Sequence, residues 1–259
     1  MVKNKEGREM KEQIDTIPLN DAFDSGDECP FCWLERKAEQ STIRYVAGPS
    51  ASYMEPDVRA QTDAAGFCGE HLKKLYDYGN TLGSALMLQT HMTGLLQDFY
   101  AGIEEFQMPP KRSIFAKKPA KTEEPWWERL RRRQQRCFIC ERTSYHMERY
   151  YHTFFVMLKD PQFREKVENS KGFCLRHFAD MMDLAEDQLP NGQREWFYPT
   201  VMKLTVENLE RVKGDLDWLV AKYDYRNAGA GWKNSRDALP RAMEKLQGLH
   251  PADPPYKNE

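Results

Sequence analysis

Two short cysteine patterns, each occurring twice, constrain this chain more than any other feature. The first half carries CPFC at Cys29 to Cys32 and GFCGEH at Gly66 to His71. The second half carries CFIC at Cys137 to Cys140 and GFCLRH at Gly172 to His177. All six cysteines fall in these four motifs, and the spacers between them, 35 and 33 residues, are nearly equal. The likeness extends to the flanks. Pro56-Asp57-Val58-Arg59 and Pro161-Gln162-Phe163-Arg164 precede the two GFC motifs, and Leu75-Tyr76-Asp77-Tyr78 and Met181-Met182-Asp183-Leu184 follow the two histidines. The pattern reads as an internal duplication.

Each copy offers three cysteines and one histidine, the donor set of a closed tetrahedral zinc site with no position left for substrate. Reading each copy as self-contained gives two expected quartets: Cys29, Cys32, Cys68 and His71, and Cys137, Cys140, Cys174 and His177. The local sequence suits thiolate ligands. Cys29 fits a helix N-cap with Pro30 at the first helical position, and Cys68 and Cys174 each open a helix whose free N–H groups favour negative charge. Two zinc ions per chain follow. Disulfides fit poorly because three thiols per copy leave one over, and a thioredoxin-like pair would need an apolar strand before CPFC. A cluster of iron and sulfide held by the same residues is a chemical alternative.

Apolar spacing places helices at 33–45, 53–65, 71–76, 81–106, 138–158, 160–170, 174–187 and 193–225. A long helix thus follows each site. In the helix at 81–106 the expected buried stripe is Leu82, Leu86, Leu88, Met92, Leu95, Leu96, Phe99 and Ile103, with Gly83, Gly94 and Gly102 explained only by close packing. Alternating strand patterns are absent, so the expected fold class is all-α. The expected organisation is a charged tail (1–28), a first metal-binding unit (29–106), a Pro/Lys/Arg-rich linker (107–136), a second unit (137–226) and a C-terminal tail (227–259) with a short helix at Ala238 to Leu246.

With 38 Lys plus Arg against 40 Asp plus Glu in 259 residues, the chain is neither a polycation nor an acidic disordered polymer. Its longest apolar runs are too short for a membrane span, and MVKNKEGREMKEQ is charged where a signal peptide is apolar, so the expected location is the cytoplasm. Nucleic acid enters through one stretch, Arg129, Arg131, Arg132, Arg133 and Arg136 beside Trp126 and Trp127. A solvated face is the favoured reading of it. Of the remaining histidines, His91 reads as a core or boundary residue, and Glu148 with His152 as a structural pair; His146 and His250 carry no motif. Phosphate loops, serine elbows and paired Glu-x-x-His motifs are absent.

The doubled Cys-x-x-Cys and Gly-Phe-Cys-x-x-His pattern, with Pro-x-aromatic-Arg in the second copy, resembles an uncharacterised family of bacterial helical proteins over most of 29–225. The resemblance implies metal coordination by the eight residues named above and brings no established activity. The expected role is a non-enzymatic zinc-binding scaffold for a protein partner, with Trp126, Trp127 and Trp232 as contact points. Thiol-based redox sensing and iron–sulfur electron transfer are the alternatives.

Overall fold

The computed structural model describes residues 15–108 and 124–248. Among them every regular element is helical. Residues 15–24 form α1, followed by α2 (Pro30–Ala47), α3 (Pro56–Ala65), α4 (Gly69–Tyr78), α5 (Thr81–Glu105), α6 (Trp126–Gln134), α7 (Phe138–Met157), α8 (Pro161–Glu168), α9 (Leu175–Gln188), α10 (Asn191–Ala221) and α11 (Ala238–Gln247). The helices start and stop where local chemistry dictates. Pro56 and Pro161 occupy first-turn positions where a missing N–H is harmless, and the Asp160 carboxylate accepts from the Gln162 N–H. Gly66 and Gly172, at φ of 63° and 70°, turn the chain into each GFC motif through a conformation that side chains with a Cβ disfavour.

The chain folds into two compact units, which are not the sequential segments 29–106 and 137–226. Of the described residues, the first unit takes 15–38 and 144–248, and the second takes 39–108 and 124–143. The chain passes between them within α2 and again within α7. Each unit therefore draws on both halves of the sequence.

The first unit is built on aromatic packing. Phe31, Phe154, Phe173 and Phe197 are almost wholly buried, and Phe31 stacks on Tyr151 with ring centroids 4.7 Å apart. Helix α1 belongs to this core through Leu19 and Ala22, so the charged tail expected over 1–28 is docked from residue 15; residues 1–14 lie outside the described residues. Alternating charges concealed a short amphipathic segment. The second unit has a smaller aliphatic core around Ile43, Val46, Val58, Leu75, Met87 and Ile139.

Helix α5 departs from expectation. Most of its expected buried stripe faces solvent: Leu82 is 65% exposed, Met92 59%, Leu96 50% and Ile103 60%, while Leu86, Leu88 and Leu95 are half-buried. The buried side is instead marked by Gly83, Met87 and Gly102. A Cβ at Gly102 would meet the Trp126 ring at 2.4 Å, and one at Gly83 the Tyr53 ring at 2.9 Å. The glycines admit aromatic rings, so the helix packs through its smallest residues.

Candidate metal centres

Four helix N-termini carry the chemistry. Cys29, Cys68, Cys137 and Cys174 each accept the first helical hydrogen bond through their carbonyl oxygens, from Trp33, Leu72, Glu141 and Phe178 respectively. Each is therefore an N-cap. The second ligand of every motif (Cys32, His71, Cys140 and His177) sits three residues on, at the end of the same first turn, so both side chains project from one helix start.

The eight residues gather into two clusters, and the expected quartets are exchanged. Cys29 and Cys32 meet Cys174 and His177 in the first unit, while Cys137 and Cys140 meet Cys68 and His71 in the second. Each cluster thus joins the Cys-x-x-Cys of one half to the Gly-Phe-Cys-x-x-His of the other. Loop closure hardly opposes this. Linking Cys32 to Cys174, 142 residues apart, rather than to Cys68 costs only about 1 kcal/mol more in chain entropy. Packing of the units easily outweighs that.

In the first cluster the sulfurs of Cys29, Cys32 and Cys174 lie 3.4, 3.3 and 3.2 Å from His177 Nδ1, and those of Cys32 and Cys174 are 3.5 Å apart. In the second, Cys137, Cys140 and Cys68 lie 3.4, 3.3 and 3.2 Å from His71 Nδ1, with Cys68 and Cys140 3.9 Å apart. One imidazole nitrogen carries at most one proton, so three sulfurs around it cannot all be explained by hydrogen bonds. Donor–ion bonds of about 2.0 Å to nitrogen and 2.3 Å to sulfur in tetrahedral array give edges of roughly 3.5 Å between sulfur and nitrogen and 3.8 Å between sulfurs, within about 0.3 Å of those seen. Both clusters could hold a metal ion, and all six cysteines are free of disulfides.

The surroundings tune the clusters differently. In the second, His71 Nε2 lies 2.8 Å from Glu39 Oε1, which also accepts from Lys74 at 2.6 Å. Donation to the carboxylate fixes the ring with Nδ1 toward the sulfurs. Burial alone would push His71 down, but the Cys137 sulfur and the Glu39 carboxylate hold it up at about 10. Burial opposes ionisation of Cys137 as well, yet the His71 hydrogen bond and nearby backbone N–H groups bring it to about 6. Burial and the neighbouring sulfurs of Cys137 and Cys68 raise Cys140. Metal-free, this cluster is a thiolate–imidazolium pair.

In the first cluster, His177 Nε2 is 3.8 Å from Glu35, too long for a hydrogen bond, and Glu35 is held by Arg176 at 2.8 Å. Positive charge comes instead from Arg176 and Lys245, which interact with the Cys174 and Cys29 sulfurs. Lys245, 1% exposed, donates to the Lys171 carbonyl at 2.5 Å and to the Glu28 carbonyl. Those carbonyls immediately precede Gly172 and Cys29, so one ammonium straps the two ligand-bearing segments together. In the second unit a backbone hydrogen bond joins the corresponding segments, the Phe138 N–H donating to the Gly66 carbonyl at 2.9 Å. Pro30 stands at the corresponding place in the first unit and has no N–H to give. The buried Glu28 carboxylate, gripped by Arg211 and 3.4 Å from Lys245, balances the ammonium.

Glu35, Glu39, Arg176, Glu28 and Lys245 carry no motif of their own. Arg176, lodged between two ligands, was the one open to inspection. Elsewhere, the His91 ring lies where a Cβ at Gly66 would stand and bonds the Asp63 carbonyl through Nδ1 at 2.8 Å, and His152 Nδ1 lies 3.3 Å from Gln188 Oε1. His250 lies outside the described residues. Each arginine of the basic stretch is paired: Arg129 with Glu105, Arg131 with Glu128, Arg132 with Glu124, Arg133 with Asp98 and Arg136 with Glu141. No helix among the described residues is long and apolar enough to cross a membrane.

Residues 10–253 match the model of a family of unknown function, DUF6062, and the chain belongs to that family. No curated protein and no solved structure matches it.

Proposed function

We propose, with membership in that family as the premise, that the chain is a non-enzymatic helical scaffold cross-linked by two structural zinc ions. The supporting observation is the closed donor set. Three sulfurs and one imidazole per cluster lie within 4.8 Å of one another, and around a tetrahedral ion they would fill all four directions and leave none for substrate. Zinc matches the donors, since it accepts thiolate and imidazole without geometric preference of its own. When bound it supplies charge and a cross-link, not redox chemistry. The protein's own residues do the rest: helix N-termini favour the thiolates, Glu39 orients His71, and Lys245 and Arg176 offset the net negative charge of a trithiolate site. The repeated motif order supports descent from a duplicated unit whose halves exchanged ligand pairs.

On this reading the scaffold works in the cytoplasm, where thiols stay reduced, and offers helical surface to a protein partner. Trp127 and Trp232, 45% and 39% exposed, are suited to contact. The carboxylate pairing of Arg129 through Arg136 argues against nucleic acid as that partner. Elemental analysis of anaerobically purified chain tests the proposal. Two zinc ions and no iron in a colourless protein are expected, and iron with a visible chromophore would overturn it.

A second reading, thiol-based sensing, draws on one asymmetry: the first cluster is wholly buried, whereas Cys140 is exposed and Cys68 half-buried. Peroxide could take two electrons from these two thiolates, joining their sulfurs as a disulfide while it is reduced to water. Sensing predicts release of one zinc per chain at micromolar peroxide, reversed by thiol. Retention of both ions under those conditions would leave the scaffold reading alone.

A further inference from the structure

Helix α5 is uncharged from Thr81 to Gln97 apart from His91, an unusual run for a helix with a solvent-facing side. That side carries Leu82, Met92, Leu96, Phe99, Ile103 and, one residue beyond the helix, Phe106, between 44% and 65% exposed. With Ala85 and Gln89 these positions alternate steps of three and four residues along the whole helix, the seam of a two-stranded coiled coil. Most of the seam lies opposite the glycine-lined face that packs within the unit; Phe99 and Phe106 form its edge, with ring centroids 5.3 and 6.5 Å from those of Trp126 and Trp127. A contiguous apolar surface of this extent marks an interface.

We propose that α5 pairs antiparallel with α5 of a second copy of this chain, about a two-fold axis near residue 94. This register sets Met92 against Leu96 of the other copy, Gln89 against Phe99, Ala85 against Ile103 and Leu82 against Phe106. The smaller Ala85 and the polar Gln89 thus face the large Ile103 and Phe99, as close packing requires. A parallel pair would set Phe99, Ile103 and Phe106 against their own copies, and Ala85 against Ala85 with a void between. The antiparallel arrangement also brings Glu104 toward the N-terminus of the facing α5, where a carboxylate is favoured. With 44–65% of each still exposed, the six residues offer at most roughly 700 Å² per copy, somewhat under the ~800 Å² share of a standard interface. An isologous contact of this kind closes on itself and makes a dimer, not a fibre. The proposal does not depend on which ion the clusters hold.

Light scattering of the full-length metal-loaded chain at tens of micromolar should give about twice 30.4 kDa. Leu96→Glu, which places two carboxylates beside the axis, should raise the dimer dissociation constant at least 100-fold with circular dichroism and metal content unchanged. Register is read by mixing Gln89→Cys and Phe99→Cys chains. The mixture should cross-link under mild oxidation more than either variant alone. A monomeric parent chain, which would leave the face to a different partner, overturns the proposal. So does a Leu96→Glu dimer, or stronger cross-linking within single variants than between them.

Discussion

At the scale of single residues, the charge state of the two clusters sets what a metal ion must displace to bind there. His71 is held at about 10, above its ordinary 6.5, so its contribution to metal-free stability is complete below about 6.5 and disappears as pH rises through 10. Cys137 is lowered to about 6 from an ordinary 9, so its contribution is present above 9 and is lost as pH falls through 6. The charged pair therefore spans about pH 6 to 10, and the metal-stripped protein should be most resistant to denaturant between those limits. A metal ion must displace the His71 and Cys140 protons, so binding at pH 7 should release at least about two protons at this cluster and weaken steeply toward pH 6. Titration in buffers of different ionisation enthalpy measures this; binding without proton release would refute the assignment. Glu39→Ala should lower metal affinity of the second cluster about 10–100-fold. Glu35→Ala should do less at the first, where the His177 to Glu35 distance is 3.8 Å. Competition with a chelator compares the two.

At the scale of elements, the helices obey their termini. Most boundaries were legible because N-cap cysteines, first-turn prolines and apolar spacing act over one or two turns; α6 (Trp126–Gln134), inside the expected linker 107–136, was not, because its charged arginine run has no apolar stripe. The orientation of α5 was not. Its apolar side looked like the core side, but the decisive contacts are those of Gly83 and Gly102 with aromatic rings from distant positions. Gly102→Ala should push Trp126 away and destabilise by about 1–3 kcal/mol, visible as a red shift in tryptophan emission. An unchanged emission and melting temperature would contradict the packing. Helix α11 was expected as a short helix within a C-terminal tail, yet its role was hidden: it delivers Lys245 into the first unit. Glu28→Ala, leaving that ammonium buried without its counter-charge, should destabilise by about 3–5 kcal/mol in chemical denaturation.

At the scale of the whole molecule, the two cysteine–histidine clusters are, on the proposed reading, stability elements. A structural zinc contributes about 10–16 kcal/mol of apparent binding energy, against a net domain stability of about 5–15 kcal/mol. Cys174→Ser should therefore disrupt the first unit, and Cys137→Ser the second, each with loss of one metal ion and a lowered melting temperature. If Cys174→Ser instead damaged the Cys137-containing unit, the observed ligand exchange would be wrong. Sequence alone determined the helical class, the eight cysteines and histidines that cluster and their N-terminal placement, because spacing and capping are short-range chemistry that any fold must satisfy. It could not determine which pairs of ligands combine. Both halves offer the same donors, so either combination completes three sulfurs and one imidazole, and chain entropy separates the two by only about 1 kcal/mol per link. The choice was made by core packing: aromatic rings from both halves gather with Cys29, Cys32 and Cys174, and aliphatic ones with Cys68 and Cys137. That packing is a property of the assembled units, invisible to any local pattern.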